Sequence, residues 1–353
     1  MMIAPQSLLA TVAGVMIDLR FVAFFVAVYV FVQNYPHYRN HFKRALLSGA
    51  VIVIGFAIAQ FVLPRDILAT LGYSKQTIAP YQTVDSNESF VRINSTLRGP
   101  NPLGAYASVV VIGVVAYGTR RWRELSLKQR CGVMGCLIAA VGALAQSYSR
   151  AAWLATTIGV IIVLAMATGR TWRRFVQAHT RKMGLVAGTL IIAVVGILIV
   201  LPQTNTFKTI IFHDDAEHGP VQTSDSDRMT SLQIGMQQVV ERPFGVGIGS
   251  TGSASVRDGR PAIIENQYLF VAHEIGVIGL GIFVALMTSI LVQLWDRQSS
   301  WLSIASFASG IGLNVIGLFL PVFVDDVVSM LWWGLAGLVI TENTNDKPNT
   351  KTA

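Results

Sequence analysis

Four short stretches of this sequence combine residue types that can bind an anion or move a proton. The first is Ser95-Thr96-Leu97-Arg98-Gly99-Pro100-Asn101-Pro102-Leu103-Gly104. Its prolines disfavour helix and its glycines permit unusual dihedrals, so a bent segment leading into a helix is expected there. The Arg98 guanidinium would then either clamp an anion or snorkel to the membrane interface. The second stretch is Ser147-Tyr148-Ser149-Arg150-Ala151-Ala152-Trp153, a tight turn whose charge is Arg150. A planar, permanently charged fork suits phosphate oxygens, and an interface anchor beside Trp153 is the plainer use of the same residue.

The third stretch opens with Ser224-Asp225-Ser226-Asp227-Arg228, where Ser226 or Asp227 can cap a helix ending before Pro243. Arg228 falls in the first turn of that helix, where free amides and the helix dipole already favour anions. The run Gly247-x-Gly249-x-x-Gly252 formally matches a dinucleotide fingerprint, but no strand precedes it. A flexible turn that brings the chain back toward the bilayer is the expected meaning. The fourth stretch is Glu265-Asn266-Gln267-Tyr268-Leu269 followed by His273-Glu274. Ionisable residues at membrane depth are expensive and tend to be functional. Burial would raise a carboxyl pKa at Glu265 and a nearby arginine would lower it. A helix-start carboxylate stabilised by the dipole is the alternative. His213-Asp214-Asp215-Ala216-Glu217-His218 has metal-ligand residue types without the spacing of a zinc motif, so neither metal nor cofactor is expected. Asp325 and Asp326 would bind a cation or keep their turn in water.

The elements that must position these residues are apolar. Of 353 residues, 52% are hydrophobic and 13% charged, against about 25% charged in soluble domains. Two cysteines, Cys131 and Cys136, exclude a disulfide scaffold and a cysteine-based zinc module. Long apolar runs give an all-α polytopic membrane protein of about nine transmembrane helices, since open sheet leaves backbone groups unpaired in lipid. The spans expected are 15–33, 45–63, 103–118, 131–147, 151–168, 184–201, 276–295, 301–320 and 327–341. Basic connections at 34–44, 119–130 and 169–183 fall on one side, which the positive-inside rule makes cytoplasmic. The net charge of +8 is therefore a topology signal and requires no nucleic acid. Residues 1–341 form a single transmembrane domain with extracytoplasmic loops at 64–102 and 202–275, the latter between the sixth and seventh spans. Long loops of this kind are usually functional. A disordered cytoplasmic tail, 342–353, follows. The first apolar stretch lacks a basic lead, so no cleavable signal peptide is expected.

Taken in order on one face of the membrane, the four stretches resemble the family of O-antigen ligases and O-antigen polymerase-type proteins. The family's Arg-Gly before an Asn-Pro-Asn-like segment is matched by Arg98-Gly99-Pro100-Asn101-Pro102-Leu103-Gly104. Its Ser-Arg-Gly-Ala-Trp is matched by Ser149-Arg150-Ala151-Ala152-Trp153. An Arg opening a loop helix that ends in Pro-Leu-x-Gly-x-Gly corresponds to Arg228 and Pro243-Phe244-Gly245-Val246-Gly247. His-Asn-x-Tyr-Leu before Glu-x-Gly-x-x-Gly corresponds to Glu265-Asn266-Gln267-Tyr268-Leu269 and Glu274-Ile275-Gly276-Val277-Ile278-Gly279. Ligases of the family carry His where this chain has Glu265, a departure that keeps base chemistry and favours a polymerase. The spans are also fewer than usual for the family, as in a short or N-terminally truncated member.

The resemblance implies a metal-independent glycosyltransferase of the bacterial inner membrane, multi-pass, with an extracytoplasmic active site. Its donor would be a polyprenyl-diphosphate-linked oligosaccharide and its acceptor a glycan or lipid hydroxyl, with membrane lipids as the other partners. Arg98, Arg150 and Arg228 would hold the diphosphate, and Glu265 with Arg228 would be catalytic. Asn101, Asn266, Tyr268 and Glu274 would support them. The competing class is a secondary transporter or flippase of lipid-linked sugars, which usually places polar residues at mid-membrane. Here the main intramembrane polar features are Asn314 and the Asp18/Arg20 pair.

Overall fold

The computed structural model describes residues 7–74, 78–84, 87–178, 224–258, 263–297 and 300–342. Long apolar sequence yields helix nearly throughout: α1 Leu8–Asn34, α2 Arg39–Ala59, α3 Pro100–Arg121, α4 Leu127–Gln146 and α5 Arg150–Ala178. After the undescribed stretch come α6 Ser224–Glu241, α7 Gln267–Asp296, α8 Trp301–Gly317 and α9 Asp326–Ile340. Among the described residues six helices are long and apolar enough to cross a membrane, and α8 and α9 are shorter apolar helices. The span expected over 184–201, the 202–223 part of the long loop and the His213/His218 stretch lie outside the described residues.

Helix boundaries follow from local chemistry. Ser126 and Gln129 form a reciprocal capping box at the start of α4, and Pro100 takes the first position of α3, where its missing N–H costs nothing. One element departs from the all-α expectation: β1 Gln82–Val84 and β2 Asn87–Arg92 pair antiparallel, with Gln82 opposite Arg92.

Burial varies from helix to helix. More than half of the most apolar window of α3 is buried, whereas those of α1, α2 and α4 are 17% buried and present large apolar side chains outward, as lipid-facing helices do. Small residues permit the close approaches at the centre: Gly159 of α5 abuts Ile112 of α3, and a Cβ on Gly312 of α8 would lie 3.2 Å from Ala155 O. An aromatic nucleus joins the remaining helices, with Phe21 and Trp333 centroids 4.9 Å apart and Phe283 6.0 Å from Phe323. Buried Trp332 donates its Nε1–H to Ser306 O at 2.8 Å.

The chain direction gives the bundle two ends. The connections rich in arginine and lysine, after α1 and after α3, share one end. The hairpin, the turn between α4 and α5, the start of α7 and the segment between α8 and α9 share the other, which is the site end.

Candidate functional site

Arg98 is delivered by a turn anchored to α2. Ser95, wholly buried and at φ 52°, donates Oγ to Val53 O at 2.6 Å, and its own N–H reaches Gln60 Oε1 at 2.7 Å. Left-handed backbone is costly for a serine, and these two bonds hold it there. Leu97 N–H closes the turn on Asn94 O at 3.1 Å, so Arg98 emerges immediately before the start of α3. Among the described residues its ion pair is through Nε, 3.5 Å from Asp325 Oδ2, with 52% of the side chain exposed.

The Arg98 and Arg150 stretches, 52 positions apart, are packed against one another. A Cβ added to Gly104 would lie 2.7 Å from Ser149 Cβ, 2.8 Å from Ser147 Oγ and 3.0 Å from Ala152 Cβ. Only glycine lets α3 meet the turn between α4 and α5 this closely. A residue the motif reading passed over, Arg92 at the end of β2, bridges the junction: its Nε donates to Ser147 O at 2.9 Å and Nη2 to Asn101 Oδ1 at 2.6 Å. Asn101 therefore serves to orient Arg92. The turn itself is tied by Ser147 Oγ to Leu144 O at 2.6 Å and Trp153 Nε1 to the same carbonyl at 3.0 Å. Tyr148 takes φ 48°, and burial pushes its phenol pKa up.

Asp325 and Asp326, read from sequence as a cation site or a solvated turn, are instead counter-charges to two arginines. Asp326 pairs with Arg20 of α1, which also donates to Val324 O at 2.5 Å, and Asp325 pairs with Arg98. Asp325 also caps α9, accepting from Val328 N–H at 3.1 Å. Burial holds its carboxyl pKa above the ordinary value, with Val328 N–H and Arg98 opposing in part.

The neighbouring Val322–Val324 turn positions the fourth stretch. Phe323 N–H donates to Gln267 Oε1 at 2.9 Å, and Ile264 is buried with Val324. Asn266 caps α7, its Oδ1 accepting from Tyr268 and Leu269 N–H, each at 2.9 Å, while Nδ2 reaches Leu318 O at 2.8 Å. Tyr268 Oη bonds Asn314 Oδ1 at 3.0 Å. Glu265 thus stands half-buried between two anchored residues, beside the turn that carries the counter-charge of Arg98. Asn266 and Tyr268 fix that segment in place.

Glu274 lies elsewhere. Its Oε1 accepts from Gly249 N–H at 3.0 Å and Thr251 N–H at 3.3 Å, and its carboxyl hydrogen-bonds Asp18 of α1. The expected flexible turn at 245–249 is a packed wedge. Gly247 N–H donates to Glu274 O and Val277 N–H to Pro243 O, at 3.0 and 2.9 Å, across the non-helical Gly276 at φ 72°. Gly245 and Gly249 are in left-handed conformations, and Gly249 lies against Ala10 and Gly14 of α1. Glu274 therefore staples α1, the glycine turn and α7 together. Asp18 and Arg20, singled out above as intramembrane polar residues, belong to these site-end contacts.

The Arg228 side chain lies outside the described residues. Its helix, α6, packs against the start of α7 at Gly235, where an added Cβ would lie 3.3 Å from Leu269 Cδ1 and 3.7 Å from Ile264 Cγ2. Arg228 occupies a position two turns before Gly235, about 10 Å along the axis.

This geometry defines a polytopic helical membrane protein whose one end gathers arginines, paired carboxylates and a capped helix start. Residues 135–284 match the family model described as O-Antigen ligase, which supports the O-antigen ligase and polymerase-type family and glycan transfer of that general kind. The matched segment includes Arg150, Arg228, Glu265, Asn266, Tyr268 and Glu274, whereas Arg98 and Asn101 precede it. No curated protein matches the chain.

Proposed function

We propose that this protein transfers or polymerises a polyprenyl-diphosphate-linked oligosaccharide onto a glycan or lipid hydroxyl at the extracytoplasmic face, as a polymerase rather than a ligase. The observation that carries the reading is the junction at Gly104. It seats the Arg98 and Arg150 stretches side by side, and the Arg98/Asp325 pair links that junction to the segment bearing Glu265.

The acceptor hydroxyl oxygen attacks the anomeric carbon, and the bond from that carbon to the diphosphate oxygen breaks. The electron pair leaves on the diphosphate, and the hydroxyl proton passes to the Glu265 carboxylate. Negative charge grows on the leaving group, so guanidiniums fixed around it favour the transition state over the bound donor. Arg98, Arg150 and Arg228 serve that purpose. A single displacement inverts the anomeric centre. The glutamate at 265 in place of the ligases' histidine supports polymerisation, and the basic connections at the opposite end support an extracytoplasmic site.

Reconstitution in proteoliposomes with such a donor tests the proposal. Arg150→Ala should lower the rate by about 10²–10³-fold and Glu265→Gln by roughly 10²–10⁴-fold. A ladder of products marks polymerase action, and one block transferred to a different acceptor marks a ligase. Donor left unaltered by the wild type, or transport that survives both substitutions, would overturn the assignment.

A further inference from the structure

At the end opposite the site, an apolar groove of about 790 Å³ runs between α2, α3 and α4 and is floored by Ala305, Ser309 and Leu331. Four glycines on its walls, Gly55, Gly113, Gly132 and Gly135, keep it open: a Cβ on any of them would meet nothing within 4 Å. Its rim is built differently. Tyr117 and Trp301 both line it and pack edge to face with centroids 5.0 Å apart. Such rings sit at headgroup level in membrane proteins. Lys43 and Gln129 also line the groove. Lys43 Nζ stands 3.6 Å from Glu342 Oε1 in a partly exposed pair, and Gln129 belongs to the 119–130 connection, which carries five cations against the single carboxylate of Glu124. Apolar walls, an aromatic rim and a cationic border match one chemistry, a lipid with a negatively charged headgroup.

We propose that this groove binds one anionic phospholipid, with an acyl chain between α2 and α4 and its phosphate at Lys43. The site is separate from the glycosyl-transfer end and does not depend on that assignment. Packing between lipid tails and apolar helices gives little selectivity, because the tails are as apolar as the walls. Discrimination therefore rests on the headgroup, whose phosphate competes with the Glu342 carboxylate for Lys43, so one cation sets a ceiling of about fivefold on the preference.

Native mass spectrometry of the full chain, purified in detergent, tests this with phosphatidylglycerol and phosphatidylcholine of identical acyl chains. One phosphatidylglycerol should be retained per chain at severalfold higher occupancy than phosphatidylcholine. Lys43→Ala should reduce that occupancy by as much as about fivefold. Gly132→Leu, or Gly113→Leu if the first is not recovered folded, fills the groove and should abolish the adduct. Gly281→Leu, at an equally open position on α7 outside the groove, should leave it intact. Equal retention of the two lipids, or an undiminished adduct in the filled variants, would overturn the proposal. So would a dimer without retained lipid that Gly132→Leu dissociates, which would assign the groove to a second copy of the chain.

Discussion

Gly104→Ala isolates the junction without touching any group assigned to the chemistry. The new Cβ would stand 2.7 Å from Ser149 Cβ and 2.8 Å from Ser147 Oγ, where ordinary contact begins at 3.4 Å. Neither neighbour yields cheaply, because Ser147 Oγ is bonded to Leu144 O at 2.6 Å and is wholly buried. Either α3 or the turn before α5 must move by several tenths of an ångström, and Arg98 or Arg150 moves with it. Overpacking of this kind costs about 1–3 kcal/mol. A catalytic group misplaced by about 1 Å loses roughly 10²-fold in rate, so the smaller shift here should lose on the order of tenfold. Gly118→Ala, on the same helix with open space at its Cβ position, is the control. Proteoliposome transfer rates and denaturant midpoints should both fall for Gly104→Ala and not for Gly118→Ala. Equal rates for the two variants would refute the claim that this contact sets the distance between the arginines.

Other expectations concern the groups around the junction. Asp325→Asn removes the ion pair that holds Arg98 in position and should weaken donor binding, read as a raised KM. Because burial raises the Asp325 carboxyl pKa, wild-type donor affinity should fall on acidification at a higher pH than an ordinary carboxylate would give, and Asp325→Asn should lose that limb. For the fold the sign is opposite: the folded protein holds this proton more tightly than the unfolded chain. Its stabilising contribution is present below the ordinary carboxylate value and lost as pH rises through the raised one, which denaturant midpoints against pH would register. Glu274→Ala strands the Gly249 and Thr251 N–H groups, each at about 1–3 kcal/mol, and should raise hydrogen exchange across 245–251. Arg92→Ala and Asn101→Ala should be coupled by about 0.5–3 kcal/mol in a double-mutant cycle of stability, because they share one bond. Asn266→Ala should cost about 0.5–2 kcal/mol through loss of the α7 cap, read from the unfolding midpoint.

Much of the helical framework was legible because lipid leaves apolar sequence few alternatives, and eight of the expected spans fall on described helices. The stretches that meet at Gly104 were legible too, since proline, glycine and a lone arginine at a span end are local signals. What sequence did not show were the partners. Asp325 with Arg98, Asp326 with Arg20 and Glu274 with Asp18 join residues separated by the packing of whole helices, and no spacing rule relates them. Arg92 was hidden in a short strand whose pairing is non-local. At 245–249 the glycine composition reports conformational freedom and nothing of packing. The rigidity of that run comes from backbone bonds across the Gly276 kink, which the sequence marks only as one more glycine.

The most direct test of the central claim is a double-mutant cycle between Arg98→Lys and Arg150→Lys, measured as donor kcat/KM in proteoliposomes. Two guanidiniums on one diphosphate should give a combined loss that departs from the sum of the single losses by more than about 0.5 kcal/mol. Losses that simply add, as they do for independent sites, would contradict a shared diphosphate.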